Sequence, residues 1–328
     1  MAEVAEEDQH LAEIRRAAAR IRGHVRRTPL LRTDLSPTLM VKPESLQITG
    51  SFKARGAFNA VLSLIEREPD VTGVVTHSSG NHGQALACAA QAAGLRATIV
   101  VPEGVTPAKI AGIRSFGARV VTEGVTYDNR EEIAEEIARS EGLPLIHPFD
   151  DWDVVHGAGT VGLEILEDAP APGAVVVPVG GGGQISGIAL AFAALSPQTA
   201  IIGVEPDGAD DAARSLHAGT LQSLAADPAT LAEGVKSKSI GLRNFDVIVG
   251  SALVRDIVTV SEDELKNALR VAWMRLKLAI EPTAALTLAA CLTGRVPSGS
   301  VEHPTVIILS GGNFDPATVA AILSRTNP

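Results

Sequence analysis

The chain has 328 residues, of which 45% are hydrophobic, and its 38 acidic and 28 basic side chains give a formal net charge of -10. This length and hydrophobic content support a large core in one or two domains. The acidic balance and the lack of a basic run argue against a nucleic-acid-binding or membrane-surface protein.

The N-terminal residues MAEVAEEDQHLAEIRR are acidic and contain no apolar segment, so we expect no signal peptide. The apolar run ISGIALAFAAL is about half the length of a membrane span. The two cysteines, Cys88 and Cys291, lie in Ala-rich stretches that favour buried thiols over a disulfide. We therefore predict a cytoplasmic globular protein.

Short β-rich runs alternate with helical patterns along most of the chain. This order predicts an α/β fold with parallel sheets, in which ligands bind in the loops after the strands. Predicted strands cover residues 73–76, 97–101, 119–122, 144–147, 174–179, 200–205 and 305–309. Predicted helices include residues 83–93, 129–140, 157–167, 184–195 and 262–277, the last starting with a capping box at Ser261 and Glu264.

The segment SFKARG begins another predicted helix, with Ser51 as its N-cap. Lys53 and Arg55 place two cations in the first turn, where the helix dipole disfavours positive charge. The local sequence alone favours a solvated lysine. A desolvated Lys53 would instead have a lowered pKa and could attack a carbonyl as a nucleophile. Arg55 has no role that the sequence explains.

A four-glycine loop, GGGGQISG, follows the predicted strand 174–179 and precedes a helix. Exposed backbone amides at a helix N-terminus form an anion site, which suits a phosphate. An alternative is a dinucleotide-binding loop, because Gly181 and Gly183 are followed by an acid, Glu205, at the end of the next strand. This alternative would make the protein an NAD-dependent oxidoreductase. A tight strand-to-helix turn is the third interpretation.

Two further loops follow predicted strands. HSSGNHG (77–83) offers hydroxyl, amide and imidazole groups that suit a carboxylate or a polar ring substituent, although a simple helix cap would also use them. SGGN (310–313) is either a turn or a place where Ser310 meets a ligand atom.

An amine-bearing helix start, a phosphate loop and two polar loops together fit pyridoxal 5'-phosphate better than NAD. The sequence resembles the fold type II, or tryptophan synthase β-like, PLP enzymes, and most closely their serine/threonine dehydratase and serine racemase branch. The matching segments span about residues 28 to 314: SFKARGA, THSSGNHGQALA, HPFDD, GLEIL, VPVGGGGQISGIA, VEPDGADD, EGVK, IEPTAA and ILSGGN.

The resemblance implies a fold and an assembly. It implies two open, twisted, mostly parallel sheets flanked by helices, with the cofactor between a large domain (1–72 plus 148–328) and a small domain (73–147). It also implies a homodimer that binds a small amino acid.

The resemblance further assigns roles to residues. Lys53 carries the cofactor and moves the α-proton, and Ser79 is a candidate proton donor on the opposite face. The other cofactor contacts are Phe52, Asn81, Gly180, Gly181, Gly182, Gly183, Gln184 and Ser310. The substrate contacts are Ser78, Ser79, Asn81, His82 and Arg130. A divalent cation, Mg2+ or Ca2+, is held by Glu205, the Ala209 carbonyl and Asp211, although a capped helix start is the alternative for that segment.

A serine at the pyridine nitrogen leaves that nitrogen largely neutral, so the carbanion is less stabilised and prompt loss of a β-substituent is favoured. We therefore predict an ammonia-lyase that removes water from L-serine, L-threonine or 3-hydroxyaspartate and yields a 2-oxo acid and ammonia. The alternative is a serine racemase, which Ser79 keeps open. Three features depart from the family pattern: Phe149, the segment 156–160, and a loop at 236–239 that is one residue longer.

Overall fold

The computed structural model describes the backbone of residues 2–324 and the side chains of residues 9–324. Its helices are α1 (Ala2–Arg20), α2 (Lys53–Arg67), α3 (Asn81–Ala92), α4 (Pro107–Arg114), α5 (Arg130–Glu141), α6 (Trp152–Asp168), α7 (Gly183–Leu195), α8 (Asp211–Ala218), α9 (Leu242–Phe245), α10 (Glu262–Val271), α11 (Pro282–Leu292) and α12 (Pro316–Ser324). Its strands are β1 (Leu31–Arg32), β2 (Leu39–Pro43), β3 (Gly73–His77), β4 (Arg96–Val100), β5 (Arg119–Val121), β6 (Ala174–Pro178), β7 (Ala200–Pro206), β8 (Asp256–Val260) and β9 (Thr305–Leu309).

The larger sheet has six strands in the order β1-β2-β9-β6-β7-β8. Only the β1–β2 pair is antiparallel. Every residue of β6, β7 and β9 is buried, as expected for parallel strands covered on both faces. One face packs on α10 and α11, through residues such as Val176 and Ile307, and the other packs on α6 and α7, through residues such as Val175 and Val177.

The smaller sheet has three parallel strands in the order β3-β4-β5. Apolar residues of α2 and α3 pack on one side, and those of α5 form a separate cluster with Val75 and Val100. The predicted strand 144–147 is wrong as a strand, because it pairs only through one bridge between Val75 and Leu145. Pro144 and Pro148 bracket this segment, and neither has an N–H with which to extend a ladder.

The predicted α/β fold is confirmed. The strand predicted at 305–309 is present with the same bounds, and the other remaining strands and the predicted helices are present with shifted ends. The helix predicted at 157–167 begins earlier, at Trp152, and the α-helix predicted to end at residue 277 ends at Val271 and continues as a π-helical turn, Ala272–Leu276. The capping box of Ser261 and Glu264 is confirmed. Strands β1, β2 and β8 were not predicted.

The N-cap assigned to Ser51 is wrong. Phe52, with helical backbone angles of φ -54° and ψ -22°, precedes the first residue of α2 and provides no side-chain cap. Ser51 instead forms an isolated bridge with Gly311, which joins the start of α2 to the end of β9. The helix start is therefore fixed by the neighbouring loop.

Within residues 2–324, no helix is both long enough and apolar enough to cross a membrane. The division into a large and a small domain stays a prediction.

Candidate active site

Lys53 is the first residue of α2, and its amine faces a pocket at the carboxyl end of the larger sheet. Its Nζ donates a hydrogen bond to the carbonyl oxygen of Pro148 at 2.7 Å and lies 5.2 Å from the centre of the Phe52 ring. The amine is surrounded by protein, and this burial lowers the pKa of Lys53 to about 8. An appreciable fraction of the amine is therefore neutral, and so nucleophilic, near neutral pH.

Arg55 holds the first turn of α2 in place. Its guanidinium pairs with Glu44 at 2.8 Å and with Glu164 at 2.7 Å. The side chains of Arg55 and Glu44 are almost fully buried, and that of Glu164 is slightly more exposed. Lys42 also pairs with Glu164, at 2.6 Å, so two cations face two carboxylates. The cluster joins β2 and α6 to the turn that carries Lys53. This gives a structural role to Arg55, for which the sequence offered none.

The four-glycine loop runs from the end of β6 to the N-terminus of α7. Gly182 has a φ of +92°, and a Cβ there would lie 2.7 Å from Asn244. A Cβ at Gly181 would overlap the ring of Phe149. The loop therefore needs glycine for both backbone conformation and space, and its amides precede a helix of 13 residues.

One pocket brings together most of the predicted cofactor contacts. Within the described part of the chain, it is lined by Phe52, Lys53, Phe149, Pro178, Gly180, Gly181, Gly182, Gly183, Gln184, Gly234, Val235, Thr283 and Ser310. The side chains of Gln184 and Ser310 are buried there without a hydrogen-bond partner. Unpaired buried polar groups are costly, so these two require a polar ligand. The amine, the anion loop and these groups fit pyridoxal phosphate.

Asn81 does not line this pocket but is tied to it. Its Nδ2 donates to Glu281 Oε1 at 2.8 Å, and its Oδ1 accepts from Asn313 Nδ2 at 2.8 Å. Glu281 precedes α11, and its backbone N–H donates to Gly311, the neighbour of Ser310. The structure thus connects Asn81 with the predicted pyridine-nitrogen contact.

The predicted substrate residues lie at the carboxyl end of β3. Ser78 and Ser79 are partly buried, and His82, in the first turn of α3, is buried. Burial, reinforced by the charge of Lys53, lowers the pKa of His82 well below its usual value. Arg130 begins α5, and its guanidinium lies 5.2 Å from the centre of the Tyr127 ring. These residues are grouped on the side of the smaller sheet, and their role toward a substrate stays a prediction.

His77, Glu131 and His147 form a cluster whose ligand atoms lie within 4.8 Å of one another. Burial keeps both imidazoles neutral by lowering the pKa of His77 to about 3 and that of His147 to about 4. His147 Nδ1, however, accepts a hydrogen bond from the Asp150 N–H at 2.8 Å. Its proton therefore lies on Nε2, 3.5 Å from Glu131, and leaves that nitrogen without a lone pair for a metal.

The segment predicted to hold a cation contains two buried carboxyl groups. Glu205, at the end of β7, accepts hydrogen bonds from the backbone N–H groups of Ala212 and Ala213, so it also caps α8. One oxygen of Asp211 is buried without a partner. Burial and the charge of Asp211 raise the pKa of Glu205 well above its usual value, and burial raises that of Asp211 to about 6. This pair fits a cation, which would offset the repulsion.

Several residues of the site were missed from the sequence. The amide of Asn244, which is fully buried, donates to the carbonyl oxygens of Phe149 at 3.0 Å and Gly181 at 2.8 Å. The hydroxyl of Thr283 accepts from the Gly234 N–H at 2.9 Å. The motif IEPTAA contained a readable helix start, Glu281 followed by proline. Nothing local indicated that this glutamate would contact Asn81.

Comparison with known proteins identifies the family. Residues 21–311 match the family described as "Pyridoxal-phosphate dependent enzyme". The chain belongs to this family. The predicted resemblance is thereby confirmed, and the dinucleotide-binding alternative for the glycine loop is wrong: Glu205 caps α8.

Individual relatives of the PLP enzyme described here carry different activities in their names. It is 43% identical to human serine racemase over 315 residues, which cover 93% of this chain and 91% of the relative. The crystal structure of a threonine deaminase from T.th. is 46% identical, with a TM-score of 0.86 and coverage of 93% of this chain and 98% of that one. A pyridoxal 5'-phosphate-dependent aspartate racemase is 36% identical, with a TM-score of 0.88 and coverage of 94% and 97%.

Proposed function

We propose that the protein is a PLP-dependent ammonia-lyase that removes water from a β-hydroxy amino acid, L-serine, L-threonine or 3-hydroxyaspartate. The observation that carries this proposal is the pocket that joins the Lys53 amine to the four-glycine loop and to the neutral hydroxyl of Ser310. The likeness to threonine deaminase supports the elimination. The products are a 2-oxo acid and ammonia.

Lys53 is the residue to which the cofactor aldehyde would be attached, and its Nζ would take the α-proton once the substrate amine has displaced it. The lowered pKa of Lys53 suits both tasks, because each needs a neutral amine. When bound, the cofactor supplies an aldehyde for the substrate amine and a ring that takes up the electron pair left at the α-carbon.

The remaining pocket residues would hold the cofactor at its two ends. The amides of Gly180–Gly183 and the side chain of Gln184 suit the phosphate, and the hydroxyl of Ser310 suits the pyridine nitrogen. Because a hydroxyl is a weak acid, it leaves that nitrogen largely unprotonated, which favours loss of the β-hydroxyl over a long-lived carbanion.

A second candidate function is serine racemisation, favoured by the 43% identity to human serine racemase. Racemisation needs a proton donor on the face opposite Lys53, and the predicted donor is Ser79 beside the start of α3. The resemblance implies an asparagine at position 149 of a racemase, so Phe149 favours the lyase.

The test measures 2-oxo acid and both enantiomers of the amino acid during turnover of L-serine, L-threonine and threo-3-hydroxyaspartate. We expect 2-oxo acid to be the main product of at least one of them. D-serine from L-serine with little pyruvate would overturn the lyase and support the racemase, and Ser79→Ala should then remove D-serine formation.

Attachment of the cofactor is tested separately by borohydride reduction and peptide mapping. The label should lie on Lys53. Lys42 is an internal control, since it is fully buried but pairs with Glu164 at 2.6 Å and is therefore not a free amine. Label on Lys42 or elsewhere would contradict the assigned role of Lys53.

Three further features belong to the proposal. Glu205, the Ala209 carbonyl and Asp211 hold Mg2+ or Ca2+, which the buried, partly unpaired carboxylates support. The protein is a homodimer, as its resemblance to dehydratases and racemases implies. It acts in the cytoplasm, which the free state of both described cysteines, Cys88 and Cys291, supports.

A further inference from the structure

Glu281 is a buried carboxyl group that lies beside the site without a cation to pair with. It is 7% exposed, and no salt bridge reaches it from the residues that the structure describes. Its Oε1 approaches the α-carbon of Gly311 so closely that any side chain at that position would overlap it. Glu281 is therefore fixed against the turn that follows Ser310.

A chain of hydrogen bonds runs from this carboxyl group through two amides. Glu281 accepts from Asn81 at 2.8 Å, and Asn81 accepts from Asn313, whose Nδ2 also donates to the Thr49 carbonyl at 2.7 Å. Because a carboxylate and a carbonyl can only accept, both amides have a fixed orientation. One N–H of Asn81 faces Glu281, and its second N–H has no partner among the residues that the structure describes.

The charge of Glu281 is poised to change near neutral pH. Burial raises the pKa of Glu281 to about 7, although the hydrogen bond from Asn81 acts in the opposite direction and lowers the pKa. Two charged side chains also act on it from neighbouring elements: Lys109 of α4 lowers the pKa of Glu281, and Glu233 raises it. Lys109 and Glu233 pair with each other.

We propose that Glu281 is a positioning residue that acts on the cofactor through Asn81. Its carboxyl group orients the amide so that the second N–H donates to the cofactor's ring oxygen, and its negative charge weakens that donation. The inference rests on the proposed function and on the contact between Asn81 and the cofactor that the resemblance implies. Two hydrogen bonds from one amide nitrogen oppose each other when one acceptor is an anion, because electron density pushed onto the nitrogen makes the second N–H a poorer donor.

The protonation state of the ring oxygen follows from this arrangement. With Glu281 neutral, Asn81 donates well and stabilises the ionised ring oxygen, which absorbs in the visible. With Glu281 ionised, the donor is weaker and a second negative charge lies nearby, so the ring oxygen binds a proton and absorption moves to the near ultraviolet.

The experiment records absorption spectra of the holoenzyme from about pH 6 to about pH 8, the range around the carboxyl pKa. We expect the visible band to fall and the near-ultraviolet band to rise with pH, with a midpoint near the pKa of about 7. Glu281→Gln keeps an acceptor for Asn81 but cannot ionise, so its band ratio should be constant across this range.

Lys109→Gln removes a charge that lowers the pKa of Glu281, so its midpoint should shift to higher pH. This variant also serves if Glu281→Gln fails to retain the cofactor. A pH-independent parent spectrum, an unchanged transition in Glu281→Gln, or an unmoved midpoint in Lys109→Gln would overturn the inference while leaving the proposed function intact. A parent without any visible band would overturn the proposed function itself, and this inference with it.

Discussion

Arg55 donates two hydrogen bonds of 2.8 Å to the carboxylate of Glu44, one from Nε and one from Nη2. Both side chains are essentially inaccessible to solvent. A buried ion pair of this kind offsets a large desolvation cost only while both partners and their hydrogen bonds are present. Arg55 lies two residues after Lys53, so the same ion pair fixes the turn that carries the Lys53 amine.

Replacing Arg55 with methionine should therefore destabilise the protein strongly. Glu44 would be left buried without a cation, and Glu164 would keep only Lys42, so we expect a loss of about 3–5 kcal/mol in the free energy of unfolding. Chemical denaturation measures this loss. Arg67→Met is the matched control, since Arg67 is half-exposed and its pair with Asp153 should contribute about 1 kcal/mol or less. Equal effects of the two substitutions would contradict the cluster's role.

Arg55 also shows where sequence reasoning reaches its limit. Its two carboxylate partners lie 11 and 109 positions away, and no periodic pattern connects positions so far apart. The four-glycine loop between a strand and a helix could be predicted because its glycines, strand end and helix start are contiguous. Glu281 could not, since Asn81 is 200 positions away.

The same distinction applies to the fold. Strands β6 and β9 are continuous apolar runs and were predicted, because both faces are covered. Strand β8 lies at the edge of its sheet and is only partly buried, so its sequence DIVTV gave a weaker signal. Predicted strand 144–147 had the composition of a strand, but Pro144 at its start and Pro148 after its end restrict it to a single bridge.

Gly182→Ala should weaken cofactor binding far more than it weakens the fold. An alanine at a φ of +92° is strained, and its Cβ would press on Asn244. The loop would have to move, so we expect the Kd for pyridoxal phosphate to rise by about tenfold or more, equivalent to at least about 1.4 kcal/mol. Titration of the apoprotein with the cofactor gives this value.

The control for this substitution is Gly94→Ala. Gly94 also has a left-handed backbone, with a φ of +72°, but nothing lies within 4 Å of the added Cβ, and it lies outside the residues that line the pocket. It should lose about 1 kcal/mol of stability and bind the cofactor normally. An unchanged Kd in Gly182→Ala would mean that the loop does not hold the phosphate in this conformation.

If the proposed cation site exists, Asp211→Asn should stabilise the metal-free protein and should remove the stabilisation that an added cation gives the parent. Without a cation, the pKa of Asp211 is raised by burial from 3.8 to about 6, so the metal-free protein should lose stability as pH rises through this window. Asp211→Asn removes that charge and its repulsion of Glu205, and should stabilise the metal-free protein at pH 7 by about 1 kcal/mol or more.

Added Mg2+ or Ca2+ should have the opposite effect on the two proteins. The parent should gain thermal stability, since a cation that binds only the folded state stabilises it by mass action, whereas Asp211→Asn should gain little. Asp210→Asn, at the neighbouring half-buried carboxylate that pairs with Arg214, leaves both proposed ligands in place, so it should keep most of the parental response. If the Tm of the parent protein is the same with a chelator as with Mg2+ or Ca2+, the proposed cation site is wrong.

His156 makes the fold sensitive to mild acid. It is 6% exposed, its Nε2 lies 2.9 Å from Nδ1 of His10, and burial with the nearby His10 lowers the pKa of His156 from 6.5 to about 3. In this window the unfolded chain binds a proton that the folded protein does not, so stability falls as pH falls below about 6.5.

Between the folded and unfolded pKa values of His156, this one group changes the free energy of unfolding by about 1.4 kcal/mol per pH unit. His77, His82 and His147, whose pKa values are lowered in the same way, add to the total, so the contribution of His156 is the difference between the parent and His156→Gln. Glutamine is uncharged throughout this pH range, and it retains a hydrogen-bonding group for His10.

We expect the stability of His156→Gln, measured by denaturant unfolding from about pH 7 down to about pH 5, to fall less steeply than that of the parent by this amount. His217→Gln, at a largely exposed position, should keep the parental slope. Parallel slopes for the parent and His156→Gln would show that the packing of α1 on α6 relaxes enough to admit a charged imidazole, and the acid sensitivity would then have to come from the other buried histidines, His77, His82 and His147.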